Sequence, residues 1–265
     1  MDWLRLIAKV PGALSIWHKM PVGSVDVRVR FDIWDRPAYA YGVYSAAGLA
    51  RQLGLKSISA IEFGVARGEG LLALERICER VGSHFGMEIA VFGLDSGKGM
   101  PAPCDYRDLP YVWNQGFYAI DEEALRKKLR RARLVIGDVA KTAPELIDGP
   151  DLPPVGFISF DLDYYSSTKQ AFRILGGPQH TRLPRVFCYF DDILWPERAC
   201  YNEFTGELLA IREFNTEHET RKLGKLPHLK WMRAHPAAWN EQIYVFHDFQ
   251  HPQYSANITP PDGRQ

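Results

Sequence analysis

The chain has 265 residues, of which 46% are apolar, 24% charged and 12% aromatic, a profile that excludes disordered, collagenous and fibrous classes and supports a full globular core. Its 32 Lys and Arg balance its 32 Asp and Glu, so no global field draws in nucleic acid or an anionic membrane, and a charged partner must be met locally. Four cysteines, Cys78, Cys104, Cys188 and Cys200, include no CxxC pair; they describe neither a zinc site nor a disulfide framework, and a cytoplasmic location is expected.

Residues 1–37 read as an N-terminal arm. The opening MDWLRLIAKVPGALSIWHKM is apolar but is interrupted by Asp2, Arg5 and Lys9, and its longest uncharged run, Val10 to Trp17, contains Pro11 and Gly12. That fits neither a signal peptide nor a membrane span. The arm is expected to pack on the body or on a second copy of the chain, which makes a homo-oligomer possible.

From residue 38 to 250 short apolar runs alternate with longer segments of helical period, the rhythm of βαβ units. Strands are expected at Ser57–Phe63, Glu88–Leu94, Arg133–Ile136, Val155–Phe160 and Arg185–Phe190. They are continuous apolar runs, as in strands covered on both faces. Helices are expected near 39–53, 68–82, 121–132, 141–148, 166–175 and 203–214. Leu229–Ala234 and Gln242–His247 read as a closing pair of strands, one or both antiparallel. The expectation is an α/β, doubly wound, mostly parallel seven-stranded sheet with an antiparallel C-terminal strand. His251–Gln265, rich in Pro, Asn, Asp and Gly, reads as a loose tail.

In an open parallel sheet, ligands bind outside the carboxyl ends of the strands. Here those ends are acidic: Glu62 on the first strand, Asp95 after the second, Asp138 after the third, Asp161 and Asp163 after the fourth, Asp191 and Asp192 after the fifth. Carboxylates converging on one sheet edge with nothing to neutralise them would be costly, so the set points to a bound cation or ligand. The first turn, Glu62-Phe63-Gly64-Val65-Ala66-Arg67-Gly68-Glu69-Gly70, is a glycine-rich strand-to-helix loop that lets a ligand approach the backbone.

That loop spacing, with Tyr165 and Lys169 as a YxxxK pair, also fits short-chain NAD(P)-dependent reductases. Against them stand a loop some sixty residues into the chain, the lack of an NNAG-like segment, and Leu152 and Pro153 where a serine is expected. Glu62-x-Gly64-x-x-x-Gly68 resembles motif I of class I S-adenosylmethionine-dependent methyltransferases. Asp161-Leu162-Asp163-Tyr164-Tyr165-Ser166-Ser167-Thr168 followed by Asp191-Asp192 resembles the DxDxYxST and DD signatures of the macrocin O-methyltransferase (TylF-like) family. Leu94-Asp95-Ser96 with Gly99-Met100-Pro101, and Gly137-Asp138 with Thr142-Ala143-Pro144, resemble two further family segments, so the likeness spans about residues 58–195.

The resemblance implies a class I methyltransferase fold of Rossmann-like type and methyl transfer from S-adenosyl-L-methionine to a hydroxyl of a sugar or natural-product-type small molecule. It implies that Gly64 and Gly68 floor the methionine part of the cofactor with Glu62 nearby, that Asp95 with Ser96 holds the ribose, and that Asp138 lies near the adenine. Asp161, Asp191 and Asp192 match the family's positions for a divalent metal, usually Mg2+, and Asp161 or Asp163 is the candidate general base. The chain departs from the family at Gly97-Lys98, on the edge of the adenosine pocket, at Ile193-Leu194-Trp195 after the acid pair, and in 171–190, where Gly176-Gly177 come early; together these bear on the acceptor pocket more than on the cofactor site. The competing readings are the reductase, a nucleotide-sugar transferase using Asp161-Leu162-Asp163 as a DxD site, and a catalytically silent cofactor-binding protein. The basic run Arg126–Arg133 lacks interleaved aromatics and reads as a solvated helix face, so no nucleic-acid partner is expected, nor a membrane one. Tyr39, Tyr41 and Tyr44 suit core packing better than an acceptor lid.

Overall fold

The computed structural model describes residues 13–18, 20, 22–150 and 152–259. The first twelve residues of the expected arm lie outside them. In chain order the elements are α1 (Ala13–His18), α2 (Val25–Arg30), α3 (Pro37–Gln52), β1 (Ser57–Phe63), α4 (Glu69–Phe85), β2 (Glu88–Asp95), α5 (Glu122–Lys128), β3 (Arg133–Ile136), α6 (Val139–Ile147), β4 (Val155–Phe160), α7 (Tyr165–Ala171), β5 (Arg182–Phe190), α8 (Gly206–Glu217), β6 (Arg221–Lys225), α9 (Leu229–Met232) and β7 (Ile243–Asp248).

The seven strands form one sheet in the order β3-β2-β1-β4-β5-β7-β6. Strands β1 to β5 are parallel, and β7 runs antiparallel between β5 and β6. The first five strands lie where their apolar runs predicted them. The central strands β1, β4 and β5 are buried on both faces, and β4 makes this explicit, because side chains of opposite parity point to opposite sides. Phe157 meets Tyr39 of α3, whereas Phe160 meets Phe172 after α7 and stacks on Phe63 and Phe190. Pro37 occupies the first turn of α3, where its missing N–H costs nothing. Gly42 is required in that helix because the Phe157 ring lies where a Cβ would stand.

Three expectations are corrected. Leu229–Ala234 is no strand: 229–232 make the single turn of α9, and the sixth strand is Arg221–Lys225. Its sequence, RKLGK, buries only Leu223, as an edge strand can. The 121–132 helix stops at Lys128, because Glu75 of α4 accepts hydrogen bonds from the amides of Arg130, Arg131 and Ala132 at 2.9, 2.5 and 2.7 Å. An anion binding three consecutive amides holds the chain in a non-helical turn. The C-terminal stretch is tied down as far as Ile258. His251 bonds the Gln179 carbonyl at 3.1 Å, Tyr254 lies under the Arg185 guanidinium, and Ile258 packs on the core.

The described part of the arm packs on the body. Phe31 and Ile33 are buried with Trp17 and Ala234 around them, Trp34 joins the main core, and Asp32 pairs with Arg233 at 2.5 Å. No helix among the described residues is long and apolar enough to cross a membrane.

Candidate functional site

A cavity of about 1060 Å3 opens at the carboxyl ends of the parallel strands. Its floor holds Gly64 and Ala66 after β1, Asp95 and Ser96 after β2, Gly137 and Asp138 after β3, Asp161 and Asp163 after β4, and Asp191 and Asp192 after β5. Met100, Trp113, Tyr118, Trp195 and Pro196 form an apolar wall.

The glycine turn follows from backbone geometry. Gly64 has φ +81 and sits against the Asp161 carbonyl, leaving no room for a Cβ; Gly68 has φ +83, a region that glycine enters without penalty. Asp95 fastens this turn. Its Oδ2 accepts from the amides of Val65 and Ala66 at 2.9 and 3.0 Å, and its Oδ1 accepts from the Gly97 amide at 2.7 Å. The carboxylate thus sets the loop's shape while facing the cavity. Ser96 spends its hydroxyl on the neighbouring loop, donating to the Gly99 carbonyl and accepting from the Lys98 amide. Asp138 lines the cavity and caps α6 by accepting from the Ala140 amide at 2.9 Å. Gly68 stands off the cavity, at the start of α4 against Leu125.

Glu62 also lies outside the cavity wall. It is 1% exposed, accepts a 2.7 Å hydrogen bond from the Tyr39 hydroxyl at Oε1, and has no partner at Oε2. Burial pushes its carboxyl up to about 8 despite that bond and the nearby Arg36. Tyr39 is fully buried and also accepts from Ser159 at 2.9 Å.

The acidic cluster forms because Phe160 of β4 and Phe190 of β5 are register partners, so the residues that follow emerge side by side. One carboxylate oxygen from each of Asp161, Asp191 and Asp192 lies within 4.8 Å of the others. Asp191 accepts from the Tyr189 hydroxyl at 2.5 Å, and Asp192 accepts from the Asp163 amide at 2.8 Å. Asp163 adopts φ +57, uncommon for a residue with a side chain, and burial raises its carboxyl to about 7. Burial, then the neighbouring acids, push Asp161 and Asp192 well above the ordinary carboxylate range. An all-oxygen set of three converging carboxylates, repelling one another, fits a hard divalent cation such as magnesium.

Sequence reasoning missed Glu207. Fully buried at the start of α8, it accepts from the Asp192 amide at 3.1 Å, and its other oxygen has no partner. It also missed Arg36, whose charge reaches Glu62, Asp161 and Asp191. Neither carries a motif, since both come from helix starts far along the chain from the strand ends they serve. The reductase pair is absent from the cavity: Tyr165 donates to Glu213 at 2.7 Å, and Lys169 binds Glu213 and Glu217 at 2.5 and 2.9 Å.

Strand order, antiparallel β7 and a glycine turn after β1 that faces the cavity define the class I methyltransferase fold. The O-methyltransferase NovP shares it, with a TM-score of 0.55 and 15% identity over 94% of this chain and 98% of NovP. So does the calicheamicin methyltransferase CalS11, with a TM-score of 0.51 and 20% identity over 89% of this chain and 90% of CalS11. No family model matches the sequence, and no curated protein does.

Proposed function

We propose that the protein is an S-adenosyl-L-methionine-dependent O-methyltransferase acting on a hydroxyl of a small molecule of sugar or natural-product type, assisted by a divalent metal. The observation that carries this reading is the convergence on one cavity of a glycine turn fastened by Asp95 and a three-carboxylate cluster. The fold shared with NovP, an O-methyltransferase, and with CalS11, a calicheamicin methyltransferase, supports it.

Gly64 gives the cofactor's thioether end access to the backbone. Asp95 Oδ1 keeps a lone pair beyond the three amide bonds to this carboxylate, and it accepts from a ribose hydroxyl. Ile136, Asp138 and Val139 flank the adenine position. Ser96 contributes by shaping the loop. When bound, the sulfonium supplies an electrophilic methyl, and the divalent ion, held by Asp161, Asp191 and Asp192, supplies Lewis acidity toward the acceptor oxygen. Either Asp161 or Asp163, both of which line the cavity, takes the proton of the acceptor hydroxyl as general base. The apolar wall excludes water and holds the acceptor in line for displacement, so positioning carries much of the rate. Four free cysteines accord with a cytoplasmic setting, and the packed N-terminal segment is available to contact a second copy.

Thermal-shift titration with S-adenosylhomocysteine, NADPH and UDP tests the class. Stabilisation by S-adenosylhomocysteine alone is expected; stabilisation by NADPH or UDP alone would replace the methyltransferase reading with a reductase or a nucleotide-sugar transferase.

A further inference from the structure

We propose that the methyl acceptor carries an aromatic ring joined to its hydroxylated part, and that Tyr118 and Trp195 receive this ring at the cavity mouth while the acidic cluster faces the hydroxyls. The inference rests on the methyltransferase reading above and deepens it by naming the chemistry of the acceptor's second half.

The cavity rim offers rings. Trp195 is 61% and Tyr118 51% exposed, and both line the cavity. Large apolar side chains left open to water beside a cavity mark a surface that a ligand covers. A ring kept only for packing sinks into the protein, as Trp113 does at 6% exposed in the apolar cluster it forms with Met100, Leu109, Val112, Tyr164 and Ala199; Tyr118 and Trp195 stay outside that cluster. Partial burial, then Asp163, Asp192 and Asp161, push the Tyr118 phenol up, which places it on the side of the acids and not of the adenine.

The rings are also held in place. Tyr118 has φ +62, a strained backbone conformation for a bulky residue, and the bonds just before it hold it there. The Met100 amide donates to the Phe117 carbonyl at 2.8 Å, and the Gly116 amide donates to the Met100 carbonyl at 2.9 Å. The Tyr118 ring then leans on Trp113, with centroids 6.2 Å apart. The Trp113 cluster joins the segment leading to Tyr118 with the one following Trp195, and the Tyr111 hydroxyl joins them again by donating to the Ala199 carbonyl at 2.6 Å. Rings placed in advance lose little freedom when a ligand stacks on them, so this wall suits a flat apolar face.

The test titrates two glucosides with the same sugar hydroxyls into the parent protein saturated with S-adenosylhomocysteine and magnesium: 4-nitrophenyl β-D-glucopyranoside, which carries an aromatic ring, and methyl β-D-glucopyranoside, which has none. Calorimetry is expected to give about tenfold tighter binding of the aryl glucoside, or better. Tyr118→Asn, which removes the ring and suits the left-handed backbone, and Trp195→Ala should each weaken the aryl glucoside about fivefold or more and leave S-adenosylhomocysteine within about twofold, which also reports an intact fold. Equal affinity for the two glucosides in the parent, binding of neither, or an aryl preference that survives both substitutions would overturn the aromatic acceptor and leave the cofactor reading standing. A loss of S-adenosylhomocysteine affinity as large as that of the aryl glucoside would overturn it too, by assigning the wall to the cofactor. A parent protein that does not bind S-adenosylhomocysteine at all would overturn the methyltransferase reading itself.

Discussion

Replacing Glu62 by Gln should change how the ligand-free protein's stability depends on pH. The carboxyl sits at about 8 instead of 4.5 because burial disfavours its charge. A carboxyl held more basic in the folded state binds its proton more tightly there, so the folded state loses stability as pH rises from about 4.5 through about 8. At about 1.4 kcal/mol for each tenfold change, the full effect is about 5 kcal/mol. Gln keeps the shape and the acceptor for Tyr39 but has no proton to lose. Urea unfolding of both proteins, followed by tryptophan fluorescence from pH 5 to pH 8.5 without ligand or metal, isolates this contribution, because the other acids titrate in both. The difference curve should move in favour of Glu62→Gln by several kcal/mol across that range. Parallel curves would refute the claim that burial outweighs the Tyr39 bond and the Arg36 charge at Glu62.

Other perturbations read different parts of the site. Asp95→Ala removes a carboxylate that accepts three backbone amides and should weaken S-adenosylhomocysteine by about 2–3 kcal/mol in calorimetry; unchanged affinity would remove Asp95 from the cofactor site. Asp191→Asn should impair binding of magnesium or manganese to the cofactor-saturated protein while preserving S-adenosylhomocysteine binding, and failure of the parent to bind either metal up to millimolar concentration would reject the metal-assisted mechanism. Lys169→Met breaks two ion pairs to α8 and should cost at most about 1 kcal/mol each in stability, as exposed pairs do, with S-adenosylhomocysteine affinity unchanged. Saturable NADPH binding that this variant abolishes would instead revive the reductase.

The five parallel strands and the acids at their ends were legible because a strand buried on both faces must be a continuous apolar run, and a ligand edge in such a sheet must follow it. β6 was hidden, since an edge strand that buries only Leu223 reads as polar loop. The end of α5 was equally hidden: its cause is Glu75, more than fifty residues earlier, binding the amides of Arg130 to Ala132. At the site, Gly64, Asp95, Asp138, Asp161, Asp163, Asp191 and Asp192 all meet in the cavity. Glu62 and Gly68 belong to the same turn but lie behind it, a distinction that sequence spacing does not encode. Arg36, Tyr39 and Glu207 join the acids only through packing of α3 and α8 on the sheet, so no local pattern reveals them.

The central claim is that the glycine turn binds the cofactor, and Gly64→Ala addresses it most directly. An alanine there needs φ near +81 and a Cβ where the Asp161 carbonyl stands. Calorimetric titration with S-adenosylhomocysteine should give one saturable site per chain in the parent protein and none in a folded Gly64→Ala variant whose circular dichroism matches the parent. Undiminished binding in that variant, or no binding in the parent, would contradict the account.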